Sequence, residues 1–170
     1  MPTLHVCSLA KLDETVEKTG ARQIVTLLSD GTPMKRPQSV AAERHLQLIT
    51  SDITAPMDGH ILPGTHHIEE LIGFVKRWDR VDPLVIHCWA GISRSTAAAF
   101  ITASVLNPDL DETLLAARLR AASPSATPNP RLIALADQLL DRQGRMISAI
   151  DAIGRGEDAF EGAPFELVFD

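Results

Sequence analysis

Residues 84–96 read LVIHCWAGISRST. A short apolar run of strand character leads into Cys88, a loop follows to Arg94 and Ser95, and the Ala-rich stretch beyond has helical character. Strand end, loop and helix start therefore coincide. A loop in that position offers unpaired backbone N–H groups and the positive end of a helix dipole, which together make an anion site. Gly91 lets the loop curl tightly. When the amides of Trp89, Ala90, Gly91, Ile92, Ser93 and Arg94 converge, they can surround three phosphoryl oxygens, and the Arg94 guanidinium adds a planar clamp on two of them. The same field favours the thiolate of Cys88, the form in which cysteine attacks. A cation in the first turn of a helix opposes the dipole, so Arg94 at that place points to an anionic ligand. Ser95 can donate a hydrogen bond to the sulfur, and His87 can fix the loop from behind through backbone carbonyls.

Outward from this segment, short β-like runs alternate with longer helical ones, the pattern of an α/β fold. The strands expected are 4–9, 23–28, 45–50 and 84–88. The helices expected are 12–19, 66–78, 94–106, 109–122 and 131–153, the last broken or bent near Gly144. Gly64-Thr65 offers an N-cap, and Asn107-Pro108 ends one helix and can start the next, with Asn107 as cap. Residues 123–130, SPSATPNP, form a rigid connection, and the polar loop 29–39 carries Lys35 and Arg36. The reading is a single domain with a central short mixed or parallel sheet of about four or five strands flanked by helices. Residues 1–153 form its body and 154–170 an acidic tail whose apolar end, 165–169, can dock on it.

The 170 residues suit one domain, and 45% apolar with 22% charged residues is a globular composition. Net charge is −6, with much of the excess in the tail, where Arg155 faces Glu157, Asp158, Glu161, Glu166 and Asp170. No basic stripe exists, so nucleic acid and anionic membrane are not expected partners. Cys7 and Cys88 are the only cysteines, too few for a disulfide scaffold, and no cleavable leader or membrane-length apolar run is recognised. The expected compartment is the reducing cytoplasm. Oligomeric state has no signature in the chain.

His87-Cys88-x-x-Gly91-x-x-Arg94-Ser95 resembles the signature loop of the protein tyrosine phosphatases, specifically their compact dual-specificity branch. The resemblance covers roughly residues 20–150. Thr127-Pro128-Asn129 is similar to that family's Pro-Asn segment, and HLQLITSD, residues 45–52, to the strand leading to its general-acid loop. The resemblance implies a phosphatase that needs neither metal nor other cofactor. Cys88 attacks phosphorus to give a phosphocysteine, an Asp protonates the departing oxygen, and the same Asp then activates water. Asp52 is favoured as that acid and Asp58, in PMDGH, is the alternative. The substrate implied is a phosphorylated protein or small phosphomonoester, phosphotyrosine first and phosphoserine or phosphothreonine next. The variable loop positions Trp89, Ala90, Ile92 and Ser93 contain no cation, which disfavours polyphosphates.

Two other readings use the same residues: a catalytically silent phosphopeptide-binding module, and a thiol-redox or sulfur-transfer enzyme. Cys7, in an apolar run, is expected in the core. His60, His66, His67, Glu69 and Glu70 suggest a metal cluster, but His66 and His67 face different ways, and Glu69 and Glu70 suit the start of a helix without a metal.

Overall fold

The computed structural model describes residues 3–170. Strands β1 (Leu4–Ser8), β2 (Gln23–Leu28), β3 (His45–Ile49), β4 (Leu84–Cys88) and β5 (Phe165–Leu167) form one sheet in the order β3-β2-β4-β1-β5. The first four are parallel to their neighbours, and β5 runs antiparallel to β1. Central strands β2 and β4 are buried along their whole length, because helices cover both faces of the parallel sheet, and Gln23, Thr26 and His87 are the polar residues among their side chains. The expected α/β domain is the one observed.

Six α-helices cover the sheet: α1 (Leu12–Thr19), α2 (Thr65–Lys76), α3 (Arg94–Leu106), α4 (Glu112–Ala122), α5 (Pro130–Leu139) and α6 (Arg145–Ile153). Helix α1 lies on one face, where Leu12 and Val16 pack with Cys7, Ile24 and Val85, and the other five build the larger core on the opposite face. The side chains of α3 are buried from Arg94 to Ser104, so this stretch, exposed on no side, runs through the centre of that layer. No helix among the described residues is long and apolar enough to cross a membrane.

Period-two alternation in β4 sends Leu84, Ile86 and Cys88 toward the larger core and Val85 and His87 toward α1. The sulfur thereby emerges at the carboxyl end of a parallel strand, directly beneath the first turn of α3. That edge is where open α/β sheets bind ligands.

Several boundaries differ from expectation. Strand β1 stops at Ser8, whose hydroxyl accepts from the Lys11 N–H at 3.3 Å and caps a short 3-10 turn. Helix α4 begins at Glu112 rather than 109, because Asp111 is the cap, accepting from the Leu114 N–H at 3.0 Å. Asn107 is drawn elsewhere, donating to the Phe169 carbonyl at 2.6 Å. The final helix is broken before Gly144, as expected, into α5 and α6, since the Asp137 carboxylate accepts from the N–H groups of Gly144 and Met146 and turns the chain between them. The apolar end of the acidic segment enters the sheet as β5.

Candidate active site

The loop between β4 and α3 closes around Cys88 Sγ. Ser95 Oγ lies 3.0 Å from the sulfur and the Gly91 N–H donates to it at 3.3 Å. Gly91 has φ +72°, and a Cβ there would come within 2.9 Å of the Cys7 carbon and Ser8 nitrogen, so both dihedral and close approach demand glycine.

Successive loop carbonyls are bound from outside. Trp89 O accepts from the Leu9 N–H at 3.2 Å, Ala90 O from Gly162 at 2.8 Å, Ile92 O from Thr127 at 2.9 Å and Ser93 O from Asn129 at 3.2 Å. A peptide's C=O and N–H point in opposite directions, so tethering these carbonyls outward holds the next amides inward. The ring of donors is preorganised by four backbone bonds to three distant segments, the geometry that binds an anion without reorganisation.

Arg94 is only 7% exposed. Its Nη1 donates to Ser29 Oγ at 3.2 Å and to the Thr50 carbonyl at 2.9 Å, while its buried Nε has no partner among the described residues. An orphaned guanidinium N–H at a buried loop is the polar group an oxyanion would satisfy. Ser29 and Thr50, just past the ends of β2 and β3, had no sequence signal. Only the sheet order brings them to Arg94.

Asp52 and Asp58 are separated by the fold. Asp52 Oδ1 accepts from Ser93 Oγ at 2.7 Å and from Asn129 Nδ2 at 2.9 Å, while its Oδ2 accepts no hydrogen bond among the described residues. Asn129 also caps α5, accepting through Oδ1 from the N–H groups of Arg131 and Leu132 at 3.0 and 3.1 Å. One residue thus ties the helix start and the Asp52 carboxylate together through its side chain and the loop through its backbone N–H. Asp58 lies exposed in the 51–64 loop, and its carboxylate makes no hydrogen bond among the described residues. That loop is anchored by His67, whose Nδ1 accepts from the Gly64 N–H at 3.0 Å and whose Nε2 donates to the Ile49 carbonyl at 2.9 Å. His60 Nδ1 lies 3.2 Å from Ser51 Oγ. Both rings are thus bonded within the loop and its anchor.

Behind the loop, His87 is fully buried on the α1 side of the sheet. Its Nδ1–H donates to the Cys88 carbonyl at 3.3 Å, and Thr26 Oγ1 lies 2.6 Å from its Nε2 and 2.8 Å from His45 Nε2. With Nδ1 donating, the hydroxyl donates to His87 and accepts from His45, and the strand end is fixed by a neutral imidazole. Burial lowers the His87 pKa to about 4 from its ordinary 6.5, and burial lowers those of His5, His45 and His67 in the same direction. A base depressed in the folded state contributes stability that is complete above 6.5 and lost as the pH falls toward the folded value. About 3 kcal/mol from His87 is expected to disappear between pH 6.5 and 4. Urea unfolding across that window checks this, with the slope reduced in His87→Gln. A flat profile above pH 5 contradicts it.

Cys7 lies on the α1 side, against Val85 and Ile24, as expected of a core residue, and burial pushes its thiol up to about 12. A buried thiol so shifted is inert at neutral pH. Arg36 donates through Nε to the Val40 carbonyl at 2.8 Å, pinning its own loop, and Lys35 is exposed.

No protein-family model and no curated protein sequence matches the chain. Among solved structures it is similar to the crystal structure of DUSP15, with a TM-score of 0.65 and 19% identity over 91% of this chain and 94% of that one. Human DUSP28 gives 0.63 and 20% over 84% and 96%, and the Cydia pomonella PTP-2 phosphatase 0.62 and 21% over 79% and 84%. Identities this low carry the architecture and leave the chemistry to the residues of the site.

Proposed function

We propose that this chain, whose fold is that of the dual-specificity phosphatases, hydrolyses phosphomonoesters with Cys88 as nucleophile. The observation that carries the reading is the buried Arg94 Nε without a partner, beside a thiol ringed by tethered backbone amides. Cys88 Sγ forms a bond to phosphorus as the P–O bond to the leaving group breaks, and the departing oxygen takes the proton held on Asp52 Oδ2. Arg94 and the amides of residues 89–94 stabilise the equatorial oxygens throughout. Water then gives a proton to Asp52 and attacks phosphorus. The P–S bond breaks, phosphate leaves, and the Ser95 hydroxyl donates to the departing sulfur.

Phosphotyrosine is the substrate proposed first, with phosphoserine and phosphothreonine next. PTPMT1, another structural neighbour, has been crystallised with PI(5)P. In this chain the corresponding loop positions offer Trp89, Ala90, Ile92 and Ser93 and no cation for additional phosphates.

Hydrolysis of p-nitrophenyl phosphate, undiminished by a chelator and competitively inhibited by vanadate, is the result expected. A silent binding module or a sulfur-transfer enzyme fails this assay. The two carboxylates separate in the same assay. Asp52→Ala is expected to lower kcat by about 10²-fold and to lose the decline toward alkaline pH that marks a required proton, whereas Asp58→Ala stays near the wild type. The reverse pattern transfers the acid role to Asp58.

A further inference from the structure

Residues 154–170 hold much of the chain's negative charge, and nothing in the reaction above explains why they cross the phosphate loop. Strand β5 pins the end of the segment to β1. Upstream, the Gly156 N–H donates to Thr127 Oγ1 at 3.1 Å and the Glu157 N–H to the Pro124 carbonyl at 2.9 Å. The Glu161 carboxylate accepts from the Ser8 hydroxyl, and the Gly162 N–H binds the Ala90 carbonyl at 2.8 Å. A Cβ on Gly162 would sit 2.7 Å from the Gly91 oxygen, so the strap lies directly on the loop.

Between these anchors Phe160 is held outward, 81% exposed, with its ring edge-on to Trp89 at 5.4 Å between centroids and 85° between planes. Trp89 is itself 48% exposed. Two aromatic side chains left in water beside the nucleophile, in a chain with seven aromatics, form an apolar patch that calls for a covering group. Together with Leu9, Ala10 and Glu161 they enclose a cavity of about 240 Å³, room for one apolar side chain. A second cavity, about 230 Å³, opens past Asp52 and Ser93 and is rimmed by Arg155, Glu157 and Asp158. Arg155 is occupied by Asp158 at 2.7 Å, which leaves Glu157 as the net charge facing a ligand there.

We infer that the strap residues Phe160 and Glu161, with Trp89, form a specificity subsite for a phosphorylated peptide bearing an apolar residue beside the phosphorylated one and a basic residue farther out. The subsite rests on the phosphatase reading above. The apolar side chain fills the Trp89–Phe160 cavity while the phosphoryl group sits in the amide ring one residue away. The acidic rim attracts the cation and repels acidic peptides and polyanionic lipid headgroups.

The test uses the full chain and phosphotyrosyl peptides flanked by Leu or Phe against Gly, each with an outer Lys or Glu. Wild-type kcat/KM is expected to favour the apolar flank about tenfold, which corresponds to about 1.4 kcal/mol, and Lys over Glu. Phe160→Ala and Ala10→Glu, both at exposed positions, are each expected to cut the flank preference below about twofold, with circular dichroism and thermal midpoint confirming the fold. Absence of a flank preference in a wild type that hydrolyses p-nitrophenyl phosphate overturns the subsite. So does a preference surviving both variants, indifference to Lys against Glu, or faster turnover of a dispersed phosphatidylinositol phosphate than of any peptide. No turnover of p-nitrophenyl phosphate at all overturns the phosphatase reading and the subsite with it.

Discussion

Cys88→Ser is expected to reduce hydrolysis of p-nitrophenyl phosphate by at least about 10⁴-fold, the loss typical of removing a covalent nucleophile. A serine hydroxyl at the end of β4 has no adjacent base to take its proton. His87, the nearest imidazole in sequence, faces the opposite side of the sheet and is bonded to Thr26 and to the Cys88 carbonyl. Anion binding should survive, because the ring of amides is held by carbonyl tethers that do not involve the sulfur. Tungstate titration followed by isothermal calorimetry is therefore expected to give affinities within about tenfold of each other for the variant and the wild type. Turnover retained above a hundredth of wild type removes Cys88 from the reaction. Loss of both turnover and tungstate binding makes the thiol a structural part of the loop.

Arg94→Lys is expected to be nearly as damaging, with kcat/KM lower by about 10³-fold and weak tungstate binding. In the proposed reaction the guanidinium performs two tasks at once. Nη1 is spent on Ser29 and Thr50, which fix the side chain against the ends of β2 and β3, and Nε remains for the anion. A lysine ammonium is a single centre on a flexible stem and cannot keep the Thr50 carbonyl and grip a phosphoryl oxygen in a planar fork. Ser29→Ala, which removes only one of the two anchors, should lie between wild type and Arg94→Lys. An Arg94→Lys enzyme within tenfold of wild type means that the amide ring alone supplies the binding.

The parts of the molecule open to reading in the chain are those whose cause is local. LVIHC is a buried strand because it is a short apolar run. RSTAAAFITASVL is a helix because small and straight-chain residues favour one, and Gly91 marks the tight bend between them. The proposed nucleophile, the proposed clamp and the loop amides fall within Cys88 to Ser95, so the candidate anion site could be named without knowing what surrounds it. The preference for Asp52 rested on a likeness in eight residues. The structure adds Ser93 and Asn129 as bonding partners.

The break in the final helix falls where Gly144 marks it, whereas the strand β5 and the diversion of Asn107 from a capping role have no local signal. Both depend on a polar or backbone group finding a partner far along the chain, Asn107 with Phe169 and β5 with β1. The same holds at the site. Ser29 and Thr50 reach Arg94 across separations of 65 and 44 residues, and Asn129 reaches Asp52 across 77. Hydrophobic periodicity carries no information about such pairings, because the residues concerned are single polar groups at strand and helix ends. The chemistry of one loop is thus written in consecutive side chains, whereas its rigidity and the wall laid over it by residues 156–162 come from the sheet order and the path of the C-terminal segment. Those arise only when the buried strands assemble, since no contiguous stretch contains both partners of the bonds that hold them.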